Sequence, residues 1–291
     1  MKNLSGSHFT SNTVTRAHLI DASTFGPWAL VTGASSGIGK EFARQIAAHG
    51  VNVVLVSRRV HELESIGREL AQRSGVQYRA VQVDLTKNDA LLTIENATRD
   101  LDIGLVVSNA GDAVPGEFLA ADREELHAIV RLNVLAHLDL AHHFGRRLAA
   151  RKRGGLVLVG ALGASNGVPF MANAAATKAC VHSLGQALHV ELAKRGVTVT
   201  VLMPGPTDTP ALEKLGIKRP PMKPMGVEQC VSEALRALNA HRATVVPGRL
   251  IRLMVALVPA SVARNQTAKM FEASLKLKSS AALNGRPITH G

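Results

Sequence analysis

The chain has 291 residues, 46% of them hydrophobic, enough to bury one full core or two small ones. The two cysteines, Cys180 and Cys230, lie in segments that read as helical, which argues against a disulfide framework and suits a reducing compartment. Lys and Arg number 34 against 22 acidic residues, a net charge of +12 that favours anionic partners: phosphorylated cofactors, acyl carriers, lipid headgroups or nucleic acid. The Ser-, Thr- and Asn-rich start lacks the apolar core of a signal peptide, and the apolar run at 253–258 is far shorter than the roughly 20 residues of a bilayer span. A soluble, cytoplasmic chain is expected.

In chain order, residues 1–27 read as a mobile arm. The stretch W-A-L-V-T-G-A-S-S-G-I-G at 28–39 follows, and the rest is organised around it. Ala29, Leu30 and Val31 form an apolar run that stops at a Gly-rich turn, and residues 40–49 then show helical spacing. Gly33, Gly37 and Gly39 remove side chains where backbone turns tightly and approaches a ligand, while free N–H groups of the new helix point at an anion. With Ser35, Ser36 and Ile38 they form a candidate pyrophosphate site. A second strand at 51–57 arrives one crossover helix later, as a nucleotide-binding β-α-β unit requires. At its end, where an NAD site places a carboxylate for the ribose hydroxyls, stand Ser57, Arg58 and Arg59. A guanidinium pairs with a 2′-phosphate that a carboxylate would repel, so NADP(H) is the expected cofactor.

Residues 60–73 then read as helix, 76–85 as an alternating strand ending in Asp84, and 88–99 as helix. A fourth strand at 103–107 closes on Ser108, Asn109, Ala110 and Gly111. The pattern continues with a long helix at 124–153, a strand at 156–159, a helix at 173–195, a strand at 197–202, a loop at 204–210 and a last strand at 244–246. Strands alternating with helices predict a Rossmann-type doubly wound parallel sheet, a three-layer α/β/α single domain over residues 28–248.

T-G-x-x-x-G-I-G at 32–39, N-A-G at 109–111 and P-G at 204–205 come in the order of one family: over about residues 28–246 the chain resembles a classical short-chain dehydrogenase/reductase. The resemblance implies NADP(H)-dependent hydride transfer between the nicotinamide and a ketone or secondary alcohol, on a small-molecule substrate that is hydrophobic or acyl-linked. By that resemblance Asp84 and Leu85 bound the adenine, and Asn109, Ala110 and Gly111 steady the central strands beside the cofactor. Pro204, Gly205, Thr207 and Thr209 then lie near the nicotinamide and phosphates. The family's chemistry uses a tyrosine as acid or base, a serine that orients the carbonyl, a lysine that lowers the tyrosine pKa and holds the ribose, and an asparagine that anchors a water relay.

Lys178 in A-A-A-T-K matches the lysine, and Asn133 in R-L-N-V the asparagine. Four residues before Lys178, however, stands Ala174, and the serine position falls on Ala161. No gap is needed, because Pro169 keeps its usual place between them. Tyrosine and lysine four residues apart share a helix face, which favours phenolate. An alanine neither donates a proton nor orients a carbonyl, and acid–base catalysis commonly contributes about 10²- to 10⁴-fold. Cofactor binding and catalysis therefore come apart. Two explanations stay open: serine and tyrosine replaced by alanine to abolish turnover or trap a ligand, or a natural nucleotide-binding pseudoenzyme with a regulatory or structural role. Substitute catalysts are scarce; Asn173, Ser165, Asn166, His182, His142 and His143 are the polar groups nearby in sequence.

By the same resemblance the segment 207–226 is the substrate lid; it carries Lys214, Lys218, Arg219 and Lys223 among Pro220, Pro221 and Pro224. It suits an anionic or carrier-linked substrate, or a solvated loop. Residues 249–291 read as amphipathic helices broken at Pro259, followed by a tail. They would pack over the pocket, against another subunit, or peripherally on an anionic membrane. The resemblance implies a homodimer or homotetramer through the helix at 173–195 and the long helix before it. Arg146, Arg147, Arg151, Lys152 and Arg153 offset a helix dipole without nucleic acid, and no metal-ligand spacing occurs. A basic binding protein for membrane or nucleic acid is the remaining alternative.

Overall fold

Parallel strands with Val, Leu and Ile on both faces need helices on both sides, and the chain meets that need in one sheet. The computed structural model describes residues 19–215 and 223–284. Its seven strands are β1 (Trp28–Thr32), β2 (Asn52–Ser57), β3 (Tyr78–Gln82), β4 (Ile103–Ser108), β5 (Gly154–Val159), β6 (Val197–Leu202) and β7 (Thr244–Val245), in the order β3-β2-β1-β4-β5-β6-β7. Each pairs in parallel with its neighbours. β4, β5 and β6 are buried at every position, whereas the edge strand β3 is mostly half-exposed.

On one face, α2 (Gly37–Ala47), α3 (Val60–Ser74) and α9 (Val227–Asn239) pack Phe42, Ile46, Leu63, Leu70, Leu235 and Leu238 against the sheet. On the other, α4 (Ala90–Thr98), α6 (Ala136–Arg151) and α7 (Ala172–Ala193) contribute Ile94, Leu140, Phe144 and Val181. The result is the three-layer, Rossmann-type domain that the strand–helix alternation predicts. Strand order reverses between β1 and β4, which opens a crevice at their C-terminal ends where such sheets hold ligands.

The core begins earlier than residue 28. Asp21 caps the short α1 (Ala22–Phe25) by accepting from the Ser23 N–H at 2.9 Å, and Ile20 and Phe25 are both 1% exposed. Leu19 N–H donates to His49 Nε2 at 3.1 Å. The rest of the expected arm, residues 1–18, lies outside the described residues.

The long helix expected at 124–153 is interrupted. It comprises α5 (Arg123–Val130), a π-helical turn at Arg131–Leu135 and then α6. Arg147 and Arg151 of its basic end do more than face a dipole: they donate to the carbonyls of Thr98, Leu101, Ile103 and Gly26. Beyond β6, α8 (Pro210–Lys214) opens the lid segment, of which Lys218, Arg219, Pro220 and Pro221 lie outside the described residues. The C-terminal part forms α10 (Arg249–Leu257) and α11 (Ala260–Asn284), broken around Pro259 as the sequence predicts. Among the described residues no helix is long and apolar enough to cross a membrane.

Candidate active site

The glycine-rich turn and the N-A-G segment are bonded into one unit at the crevice. Thr32, at the end of β1, accepts at Oγ1 from the N–H groups of Asn109 (2.9 Å) and Ala110 (3.0 Å). In return Asn109 Nδ2 donates to the Thr32 carbonyl at 2.9 Å. A Cβ on Gly39 would stand 2.6 Å from Asn109 Nδ2 and would collide with the Gly33 carbonyl, so only glycine lets the helix start this close. Gly33 itself has a φ of +66°, which side-chain-bearing residues rarely adopt. Ser36 precedes α2 in extended conformation without capping it, which leaves the first helical N–H groups to an anion.

Beside that turn stands a cation held by two hydroxyls. The Arg59 guanidinium donates to Ser35 Oγ at 2.8 and 3.2 Å and to Ser36 Oγ at 3.0 Å, while the Ser57 hydroxyl accepts from the Arg59 N–H at 3.1 Å. Arg58 is exposed next to it, and its carbonyl accepts from Gln82 at 3.2 Å. Asp84 turns its carboxylate to Thr86, accepting from its N–H and hydroxyl at 3.0 and 2.8 Å. Burial raises the Asp84 pKa, but those two bonds and the charges of Arg58 and Lys87 outweigh it, so the carboxyl lies below its ordinary value. Leu85 is buried.

The P-G loop closes on the same turn. Pro204 accepts from the Leu162 N–H at 2.9 Å, Thr207 donates to the Gly205 carbonyl at 3.0 Å, and a Cβ on Gly37 would stand 3.3 Å from Thr209.

The candidate catalytic corner is built by α7 and the π-helical turn. Asn133 is fully buried; its Oδ1 accepts from the Asp112 N–H at 3.0 Å, and its Nδ2 donates to the Asp112 carbonyl (2.9 Å) and Thr177 Oγ1 (3.0 Å). The extra residue of the π turn accompanies this inward-facing amide, as such turns commonly do at functional sites. Lys178 Nζ donates to the Val159 carbonyl at 2.8 Å, and burial lowers its pKa to about 8. A Cβ on Gly111 would stand 2.9 Å from Lys178 Nζ and 3.0 Å from Asn133 Oδ1, so Gly111 admits both polar groups. Ala174, one turn before Lys178, is 6% exposed. Ala161 N–H donates to His182 Nε2 at 3.3 Å.

Two histidines are tied in here. His182 accepts at Nε2, so a neutral ring carries its proton on Nδ1 and donates to Ser165 Oγ at 3.2 Å. His137, which the motif search passes over, is buried between Ser108 Oγ (2.8 Å to Nδ1) and the Ala110 carbonyl (3.2 Å to Nε2). The carbonyl requires an Nε2 proton, which leaves Nδ1 to accept from Ser108. Burial and the nearby Lys178 charge keep it neutral by pushing its pKa well below the ordinary value. Its place four residues after Asn133, on the same helical side, was the available signal. His142 is exposed and His143 pairs with Glu95 on α4 at 2.7 Å, so neither joins this corner.

These features define a dinucleotide-binding α/β domain. Residues 27–220 match the short chain dehydrogenase family. The chain is 28% identical to 17-beta-hydroxysteroid dehydrogenase type 3 of Rattus norvegicus, over 85% of this chain and 81% of that protein. It is 32% identical to a 7beta-hydroxysteroid dehydrogenase of Clostridium sardiniense, over 70% of this chain and 76% of that protein. Among solved structures, a short-chain dehydrogenase from Sphingobium yanoikuyae in complex with NADPH superimposes with a TM-score of 0.74 at 28% identity, covering 91% of this chain and 98% of that one. The chain belongs to the short-chain dehydrogenase/reductase family, oxidoreductases that use a nicotinamide cofactor.

Proposed function

We propose that this chain binds NADP(H) in the crevice and is disabled for acid-catalysed reduction of a ketone or oxidation of a secondary alcohol. The observation that carries this reading is the contrast at the catalytic corner. Lys178, Asn133 and Gly111 are gathered there, yet Ala174 and Ala161 present no hydroxyl. Nor does another phenol of the chain take over. Its single tyrosine, Tyr78, lies on the edge strand β3 and donates to Glu64 at 2.9 Å.

The residues fit the cofactor. The tight turn at Gly33 and the uncapped start of α2 suit a pyrophosphate. Arg59 with Ser35 and Ser36, and Arg58 beside them, suit a 2′-phosphate, and Lys178 with the N-A-G segment suits the nicotinamide ribose. When bound, the nicotinamide supplies or accepts a hydride. Lys178 holds a positive charge at the crevice, and the Asn133 amide locks the backbone of Asp112 behind it. What the corner lacks is a group to hand a proton to the substrate oxygen. Similarity to hydroxysteroid dehydrogenases supports a bulky ketone or secondary alcohol as the substrate class. A homodimer or homotetramer through α6 and α7 is the proposed assembly, consistent with the exposed Leu135, Leu138 and Val190 near and on these helices.

Restoring both hydroxyls tests the reading. The double variant Ala161→Ser, Ala174→Tyr is expected to raise NADPH oxidation with a panel of carbonyl compounds by about 10²- to 10⁴-fold. An unmodified chain that already turns over at the rate of the double variant would overturn it. Inactivity of the double variant with cofactor binding intact would favour a regulatory nucleotide-binding role.

A further inference from the structure

α10 turns Ile251 inward, ties Arg252 to Glu233 and the Val246 carbonyl, and leaves its other apolar side chains exposed. Ile251 is 8% exposed and packs at the P-G loop, where a Cβ on Gly205 would stand 3.3 Å from its Cδ1 and 3.4 Å from Leu162 Cδ2. The outward side carries Leu250, Leu253 and Leu257, at 65, 55 and 70% exposure, with Met254 and Val255 between them; Val262 continues the apolar surface onto α11. Single exposed leucines need no explanation, but a contiguous group of this size marks a contact surface.

Charge selects the partner. Residues 249–271 carry no Asp or Glu, the next acidic residue being Glu272; Arg249 and Lys269 are exposed there, while Arg252 pairs with Glu233 at 2.8 Å and Arg264 bonds the Asn166 carbonyl. A second copy meeting this face about a two-fold axis would set like charges together, which disfavours self-pairing. A surface with an apolar interior and anionic headgroups complements both features. At nine residues, α10 is suited to lying in such an interface rather than crossing it.

We propose that the outer face of α10 and the start of α11 docks on an anionic lipid bilayer. The docked face borders the candidate active site. Ile251 reaches the P-G loop, and Arg264 Nε donates to the Asn166 carbonyl at 2.9 Å, on the loop that follows Ala161. An apolar ketone dissolved in the bilayer would therefore meet the crevice from the side the membrane covers. The docking itself does not depend on the cofactor reading.

The test is co-sedimentation of the full chain with phosphatidylcholine vesicles, with and without phosphatidylserine, at low and high salt. Binding to the phosphatidylserine vesicles, weakened by salt, is the expected result. Replacing Leu250→Ser, Leu253→Ser and Leu257→Ser together is expected to weaken it at least about tenfold. Arg249→Gln and Lys269→Gln should each weaken it about fivefold, the factor equivalent to about 1 kcal/mol per cation at an anionic surface. Far-UV circular dichroism and melting temperature serve as the folding control. Failure of the folded parent to bind phosphatidylserine vesicles would overturn the proposal. So would parental binding by the triple leucine variant, or conversion of a dimer to a monomer by that variant with vesicle binding unchanged.

Discussion

In the proposed reading, cofactor choice turns on Arg59, whose guanidinium two serine hydroxyls of the glycine-rich turn hold at the end of β2. Charge-assisted hydrogen bonds contribute about 1.5–3 kcal/mol. Arg59→Ala is therefore expected to weaken NADPH roughly 10- to 150-fold while leaving NADH nearly unchanged, as read by competitive titration. Lys178 supplies a second residue-level test. Burial lowers its folded-state pKa from 10.5 to about 8, so between those values the folded chain holds fewer protons than the unfolded one. Stability gained from this group accordingly rises with pH across that window, and the cost of burying the ammonium is fully present below it. A Lys178→Met variant should have its greatest stability advantage below pH 8, narrowing toward pH 10.5; urea unfolding of both chains at several pH values reads the gap. A constant gap would show that the ammonium is hydrated. Motif spacing picked out Lys178, Asn133 and the glycines as candidates, and the structure gathers them at the crevice. His137 was not, because a helical histidine looks the same whether it faces water or lies between Ser108 and Ala110.

Elements with unbroken apolar runs were the most legible. β6 has the bounds its V-T-V-T-V-L pattern predicts, and β4 and β5 extend their predicted runs by one or two residues. The π-helical turn at Arg131–Leu135 left no such trace, since one extra residue barely disturbs a helical periodicity while it swings Asn133 inward. α1 escaped for a different reason: four residues are too few to show a period, yet Phe25 contacts Gly155 of β5 and is 1% exposed. Phe25→Ala is accordingly expected to cost about 3–5 kcal/mol in chemical unfolding. An unchanged midpoint would mean that the segment before β1 does not contribute to the core.

At the scale of the whole molecule, the sheet order places the glycine-rich turn, the N-A-G segment and the candidate catalytic corner at one end of the strands. That arrangement was legible because each motif followed a strand in the family's order. The charge of +12 was legible as a number but not as a place. The structure puts Arg59 beside the crevice and Arg249 exposed at the start of α10, and turns Arg147 and Arg151 onto backbone carbonyls. Calorimetric titration of the unmodified protein with NADPH, and separately with NADH, tests most directly the proposal that a cofactor site stands beside Ala161 and Ala174. Saturable binding of both, with NADPH the tighter, is the predicted result, and the absence of heat and of saturation with either nucleotide would contradict it.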